Sequence, residues 1–226
     1  FLDQGLARCQ QMFADLNRYA IRPARSLGVL YDHRDDRALL AKMVVARAPV
    51  FRDVVEMERT TLAPRSRRLF TLSAIYSATG ALLAHLDLEQ GEERAQIAAS
   101  YWDAIGAQIP QWGMVQAGKL SAGEVREDYL HSHGVVLQAF GRVGNVLLQT
   151  QPKNWMKTLA GLGSIDWRRG NSALWEGRAL INGRVSKAQQ SVILTTSAIK
   201  NHLGLDLTPE ELSAENTLQR GELDNG

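Results

Sequence analysis

Residues 69–86 read LFTLSAIYSATGALLAHL, and this apolar stretch decides the fold class of the chain. Its large apolar side chains recur at spacings of three and four residues, which is the period of one face of an α-helix. These side chains are Leu69, Leu72, Ile75, Tyr76, Leu82, Leu83 and Leu86. The stretch therefore predicts a long apolar helix, in which Gly80 is a weak point.

The same period recurs on both sides of this stretch. Residues 121–124 (SAGE) match a capping box, and the apolar pattern that follows predicts one helix through residues 125–147. Further along, Thr195 or Thr196 is a candidate cap for a helix that follows the apolar residues 192–194. The alternating pattern of strands is almost absent. The sequence thus predicts a mainly α, multi-helix globular bundle of about eight to ten helices, with at most one short β element.

The bulk composition is that of an ordinary globular protein. Of the 226 residues 45% are hydrophobic, which is enough for one sizeable core or two small ones, and the net charge is only +2. Any contact with nucleic acid must therefore come from a local basic patch. Cys9 is the only cysteine, and the sequence shows no signal peptide and no long apolar run. We expect a cytoplasmic protein that does not contact a membrane.

Six ordered stretches closely resemble the DndB family, which accompanies the phosphorothioate (sulfur) modification of DNA. They are FLDQGL at residues 1–6, QQMFADLNR at 10–18, RP at 22–23, LYDHRD at 30–35, FTLSAIY at 70–76 and WEGR at 175–178. Long ordered matches of this kind are more specific than a short motif. The resemblance covers nearly the whole chain and is weakest over residues 207–226.

This resemblance implies a repressor that binds the promoter DNA of the sulfur-modification gene cluster. Its expected partners are double-stranded promoter DNA and the modification enzymes, and a symmetric operator would favour a homodimer. The family also carries an Asp-Gly-Gln-His-Arg motif in a ParB-like N-terminal domain, and that motif is absent here. We therefore expect residues 1–206 to form the helical C-terminal region, with residues 1–5 at the edge of a missing ParB-like domain. Residues 207–226 should form an acidic helix and tail.

Two basic segments are candidates for contact with DNA. The first comprises Arg65, Arg67 and Arg68, which precede the apolar stretch and could grip phosphates bidentately. A solvated loop paired with Glu56 or Glu58 is the alternative. The second runs from residue 165 to residue 202, has a local charge balance of +4, and contains an Asn-Gly pair at 182–183 that favours a tight turn. Its candidate DNA-binding residues are Arg168, Arg169, Arg184, Lys187 and Lys200.

Other chemistry finds less support in the sequence. His131 and His133 stand two positions apart, so on a helix they would point to different sides, and packing explains them better than a metal site. The five tryptophans fall beside other apolar residues and are expected in the core, with base stacking a minor option for Trp167. Cys9 has no assigned role. No catalytic residue, metal or cofactor is predicted.

Three functions stay open at this point. The first is a DNA-binding repressor that uses basic loops on a helical scaffold. The second is an accessory protein that hydrolyses nucleotides or phosphodiesters through the missing N-terminal domain, with this chain as its support. The third is a docking module for the modification enzymes.

Overall fold

The computed structural model describes residues 25–31, 35–88 and 91–224, together with Arg8 and Met12. The expectations for Cys9 and for residues 1–5 lie outside these residues. Within them the chain forms eleven α-helices. In chain order these are α1 (Arg25–Tyr31), α2 (Asp36–Arg47), α3 (Leu72–Leu82), α4 (Glu92–Gln108), α5 (Pro110–Gln116), α6 (Ala122–Asp128), α7 (Gly134–Thr150), α8 (Trp155–Leu159), α9 (Ser172–Trp175), α10 (Gln189–His202) and α11 (Pro209–Asp224). None of these helices is both long enough and apolar enough to span a membrane.

The mainly α fold class is confirmed, but β structure occurs at two places in the described residues instead of at most one. Strands β1 (Val55–Glu56) and β2 (Phe70–Thr71) pair in parallel. Strands β3 (Leu180–Ile181) and β4 (Arg184–Val185) form an antiparallel hairpin. Its two turn residues, Asn182 and Gly183, both have positive φ, as a two-residue turn that follows the twist of the strands requires.

Helix α7 lies at the centre and packs against α3 and α10. Nine of its residues are buried. Two glycines let it come close to its neighbours. A Cβ atom at Gly141 would overlap the carbonyl oxygen of Ala78 on α3, and one at Gly144 would overlap the Tyr101 ring. These positions suit glycine alone, because the atoms around them are already close-packed.

The helix that begins with the capping box is shorter than the sequence predicts. The helix that starts with the capping box of Ser121 ends at Asp128, because Tyr129 is extended and bridges to Arg168. The chain becomes helical again only at the start of α7. The prediction of one helix through residues 125–147 was therefore wrong.

The two threonines that the sequence predicts as helix caps lie in the middle of α10. Thr195 and Thr196 are inside α10, which starts at Gln189, and both are fully buried. The Thr196 hydroxyl donates to the carbonyl of Val192 one turn earlier, which satisfies a buried hydroxyl within the helix. The apolar residues 192–194 therefore belong to the helix and do not lead into it.

Aromatic rings form a continuous path through the core. Phe70 packs edge-on against Trp112 at a centroid distance of 4.8 Å, and Trp112 contacts Phe140. Phe140 in turn contacts Trp167. Stacking between Trp167 and Trp175, at 5.1 Å, closes the path, and the exposed fraction of Trp167 is only 6%. Trp167 therefore packs in the core as expected and has no face open to a nucleic-acid base.

His131 extends this path, and it lies fully buried beside Trp112. The Trp112 indole N–H donates to its Nδ1 at 3.0 Å. Burial, and to a smaller extent the charge of His133, lowers the pKa of His131 to about 3. The core thus holds a neutral imidazole at physiological pH.

We expect Gly141→Ala to lower the free energy of unfolding by about 1–3 kcal/mol or more, because a methyl group would overlap the Ala78 carbonyl. Gly80→Ala is the matched control on α3. Its Cβ would meet no atom within 4 Å, and alanine should stabilise the helix by about 0.5–1 kcal/mol. Urea unfolding followed by circular dichroism measures both changes. Equal effects of the two variants would contradict the close approach of α7 to α3.

Acid should destabilise the fold through His131. The pKa of His131 is lower in the folded state than in the unfolded state. Its contribution to the free energy of unfolding is therefore complete above the unfolded-state pKa of 6.5, and it is lost as the pH falls towards 3. In that window the free energy of unfolding should fall by up to about 1.4 kcal/mol per pH unit. His131→Asn keeps an acceptor for Trp112 and cannot titrate, so the pH dependence should flatten. The control His202→Asn removes an exposed imidazole, and equal flattening by both variants would contradict the role of His131.

Candidate nucleic-acid interface

A single arginine organises the first basic segment. The guanidinium of Arg126, in the last turn of α6, donates hydrogen bonds to four backbone carbonyls of the loop that precedes β2. It donates to Ala63 and Pro64 at 2.9 Å, to Ser66 at 3.3 Å, and to Arg68. Burial lowers the pKa of Arg126, but an arginine keeps its charge at any physiological pH. The loop is therefore shaped around a fixed cation.

The arginines of this loop remain at the surface. Arg65 and Arg67 are exposed, and neither side chain forms a hydrogen bond or an ion pair with any described residue. Arg68 is also exposed and donates to the backbone carbonyl of Asp53. The alternative, in which the loop pairs with Glu56 or Glu58, is not observed within the described chain. Arg65 and Arg67 thus carry charge that no described carboxylate contacts.

A second arginine ties the β3–β4 hairpin to the same end of α6. The Arg169 guanidinium donates to the carbonyl of Glu127 at 3.3 Å and to that of Gly183, in the hairpin turn, at 2.9 Å. Its backbone N–H donates to the carbonyl of Asp128 at 2.8 Å. Both basic segments are therefore fastened to residues 126–128. Arg169 itself serves as a tie, because its hydrogen bonds go to the protein backbone.

Two further cations stand on or just after this hairpin. Arg184 and Lys187 are exposed, and their side chains have no partner among the residues that the structure describes. Arg184 lies directly after the turn, opposite Ile181. Lys187 lies two positions before the start of α10. With Arg65 and Arg67 they make a set of four unpaired cations.

Lys200 was predicted as a DNA ligand, and the structure corrects this assignment. Its side chain lies in the interior, with an exposed fraction of 1% for the residue, and its Nζ pairs with a carboxylate oxygen of Glu211 on α11 at 2.7 Å. A lysine buried in an ion pair cannot reach a duplex. Helix α11 packs against α10 and brings Glu211 to this lysine, which explains the burial.

Arg168 is exposed but already paired. Its guanidinium forms a two-pronged contact with the Asp166 carboxylate, at 2.9 Å and 2.8 Å. This pairing raises the pKa of Arg168 and lowers the pKa of Asp166. Because its charge is neutralised by a residue two positions away, Arg168 offers less to a phosphate than the four unpaired cations do.

One cavity lies between the two basic segments. It has a volume of about 680 Å³, and its lining includes residues 60–62 and Arg126 on the side of the first segment and residues 185–187 on the side of the second. None of the described residues that line it is acidic. We call this the basic cavity. It joins segments that lie far apart along the sequence.

His133 lies at the edge of the basic cavity, and its pKa depends on the arginines nearby. Its Nε2 is 2.8 Å from the carbonyl oxygen of Arg126. Burial lowers the pKa of His133, the Arg126 carbonyl opposes this, and the charges of Arg169 and Arg126 lower the pKa further. In the described part of the chain no cluster of three or more histidine, cysteine or acidic residues could hold a metal ion.

Nothing in the sequence distinguishes Arg126 or the tie formed by Arg169. Arg126 acts on carbonyl groups that belong to residues about sixty positions earlier, and a backbone carbonyl leaves no mark on a sequence. The exposed cations Arg65, Arg67 and Arg184 were found because their side chains stand in basic runs. The residues that position them were not.

Fold and site together define a class of protein: a mainly helical scaffold that holds two basic segments at one helix end, on either side of a cavity. The chain belongs to the DndB family, since the family model described as DNA-sulfur modification-associated matches residues 1–206. This membership connects the chain with the sulfur modification of DNA. Comparisons with curated proteins and with solved structures find no match.

Arg126→Ala should loosen the loop without unfolding the protein. The loop would lose the guanidinium that binds four of its carbonyls. A loss of roughly 1.4 kcal/mol of local stability corresponds to a tenfold larger population of the open loop. We therefore expect trypsin to cut after Arg65, Arg67 or Arg68 at least about ten times faster. Arg94→Ala is the control, because Arg94 donates to a single carbonyl, that of Leu83. If both variants are cut at the rate of the original chain, Arg126 does not order the loop.

Proposed function

We propose that the chain is the part of a cytoplasmic transcriptional repressor that contacts the promoter DNA of the sulfur-modification gene cluster. The observation that carries the proposal is the set of four unpaired cations, Arg65, Arg67, Arg184 and Lys187, on segments that Arg126 and Arg169 fasten to one helix end. Family membership supplies the link to DNA sulfur modification. The partner is double-stranded promoter DNA.

The cations suit a phosphate backbone better than base edges. Arginines on short loops, outside a helix or ribbon long enough to read a groove, fix register by contacting phosphates and carry little sequence information. Each phosphate that a cation neutralises makes the logarithm of the binding constant fall by about 0.9 per decade of salt concentration. Four contacts per chain would give a slope of about −3.6.

Rigid loops favour this role. A flexible arginine loses conformational entropy when it binds, whereas a loop already held by backbone hydrogen bonds loses less. The Arg126 guanidinium holds the first segment, and the hydrogen bond from Arg169 to Gly183 holds the second. The conformation of both segments is thus fixed before DNA binds.

The test is fluorescence anisotropy of the full-length protein on a promoter duplex, titrated with salt. Arg65→Ala combined with Arg67→Ala should weaken binding and reduce the salt slope by about 2. Lys153→Ala combined with Lys157→Ala is the control of equal charge. These lysines are exposed at the far end of α7, a helix about 25 Å long, and should leave the slope unchanged.

Equal slopes for the two double variants would overturn the proposal. A protein that co-purifies with the modification enzymes but shows no salt-sensitive binding to the promoter would support the docking function instead. Turnover of nucleotide or DNA by the full-length protein, unchanged by the Arg65 and Arg67 substitutions, would support the accessory enzyme.

A further inference from the structure

Helices α3 and α7 begin at the basic cavity, and α10 touches it one turn after its start. Its lining includes Ser73 and Ala74 from the first turn of α3, Gly134 and Val135 from the first turn of α7, and Val192 near the start of α10. These helices have 11, 17 and 14 residues. The first amides of a helix have no partner within it, and the helix dipole puts partial positive charge at this end. An open helix start beside such a space favours the binding of an anion.

Helix α7 leaves its first two amides open. Its N-cap residue, His133, makes no side-chain hydrogen bond to them. The backbone N–H groups of Gly134 and Val135 form no hydrogen bond within the described chain. Gly134 is exposed. By contrast, the hydroxyl of Thr71 already caps α3 through the amide of Ala74.

An unsatisfied side chain points to a ligand independently of the helix ends. Ser132 lines the cavity, and the residue is 5% exposed. Its hydroxyl is buried and has no hydrogen-bond partner among the described residues. A buried hydroxyl of this kind is destabilising unless a partner is supplied. A bound acceptor within reach of the hydroxyl would supply it.

Charge and shape narrow the class of ligand. Arg126 and Lys187 are the cations of the lining, and no described carboxylate opposes them there. The volume of about 680 Å³ exceeds the needs of a bare phosphate ion and falls in the range of roughly 300–1,000 Å³ for small-molecule sites. Apolar side chains cover part of the wall, namely Leu62, Leu69, Phe70, Val135, Val185 and Val192.

We propose that the basic cavity binds a small phosphate monoester, whose phosphate lies at the start of α7 between Ser132 and Lys187 and whose organic part lies against the apolar wall. The amides of Gly134 and Val135, the Ser132 hydroxyl and the Lys187 ammonium would donate to the phosphate oxygens. Arg126 would contribute its charge, since its Nη1 and Nη2 groups already donate to the loop. Apart from Lys187, which belongs to both, the site is separate from the cations proposed to contact DNA.

Isothermal titration calorimetry on the full chain, without DNA, tests this site. The probes are inorganic phosphate, adenosine 5′-monophosphate as a phosphate monoester, and adenosine as its uncharged counterpart. We expect the monophosphate to bind more tightly than phosphate, and adenosine to give no measurable heat. Ser132→Ala and Lys187→Ala should each weaken monophosphate binding about tenfold or more, as the loss of a hydrogen bond to a charged group predicts.

Two controls separate this site from the DNA interface. The Arg65→Ala and Arg67→Ala double variant should bind the monophosphate normally. Ser132→Ala should bind the promoter duplex normally, and it should melt at the same temperature as the original chain or higher, because it removes an unsatisfied hydroxyl. No binding of phosphate or monophosphate at millimolar concentration overturns the proposal. Equal binding of adenosine and its monophosphate, or unchanged binding in both site variants, also overturns it.

Discussion

The rest of the structure depends on how closely α7 approaches α3. The contact at Gly141 brings the surface of one helix onto the backbone of the other, so the two helices form a single rigid unit. Helix α10 packs against α7 as well, and the start of α7 lines the basic cavity. Arg126 and Arg169 then hold the loop before β2 and the hairpin at the end of α6. A wider spacing would open the core and separate the residues that line the cavity.

Arginine performs two different tasks on this scaffold. Arg126 and Arg169 turn their guanidinium groups to backbone carbonyls and act as structural ties. Arg65, Arg67 and Arg184 are exposed and carry the charge that a partner would meet. A guanidinium suits both tasks, since its planar array of five donors can satisfy several carbonyls at once or grip an oxyanion. Counting basic residues therefore overstates the charge that this surface offers.

The sequence predicted the architecture well and the site only in part. Helical period and turn chemistry identified the mainly α class and the tight turn at residues 182–183. Periodicity failed where tertiary contacts decide, as at Tyr129, whose bridge to Arg168 ends a helix that the apolar pattern would continue. Lys200 shows the same limit, because its burial depends on Glu211, and no local pattern reveals that the acidic helix packs against α10.

The acidic end of the chain supplies carboxylates that neutralise two cations earlier in the chain. Helix α11 follows the region that the family model matches, yet its Glu211 and Glu215 compensate Lys200 and Arg178, which lie within that region. Removing one partner of a buried ion pair costs about 3–5 kcal/mol. The edge of sequence similarity is thus not the edge of the folding unit. A protein cut at residue 206 would leave two cations without their carboxylates and would expose Ile193 and Leu194 of α10, which pack against α11, to water.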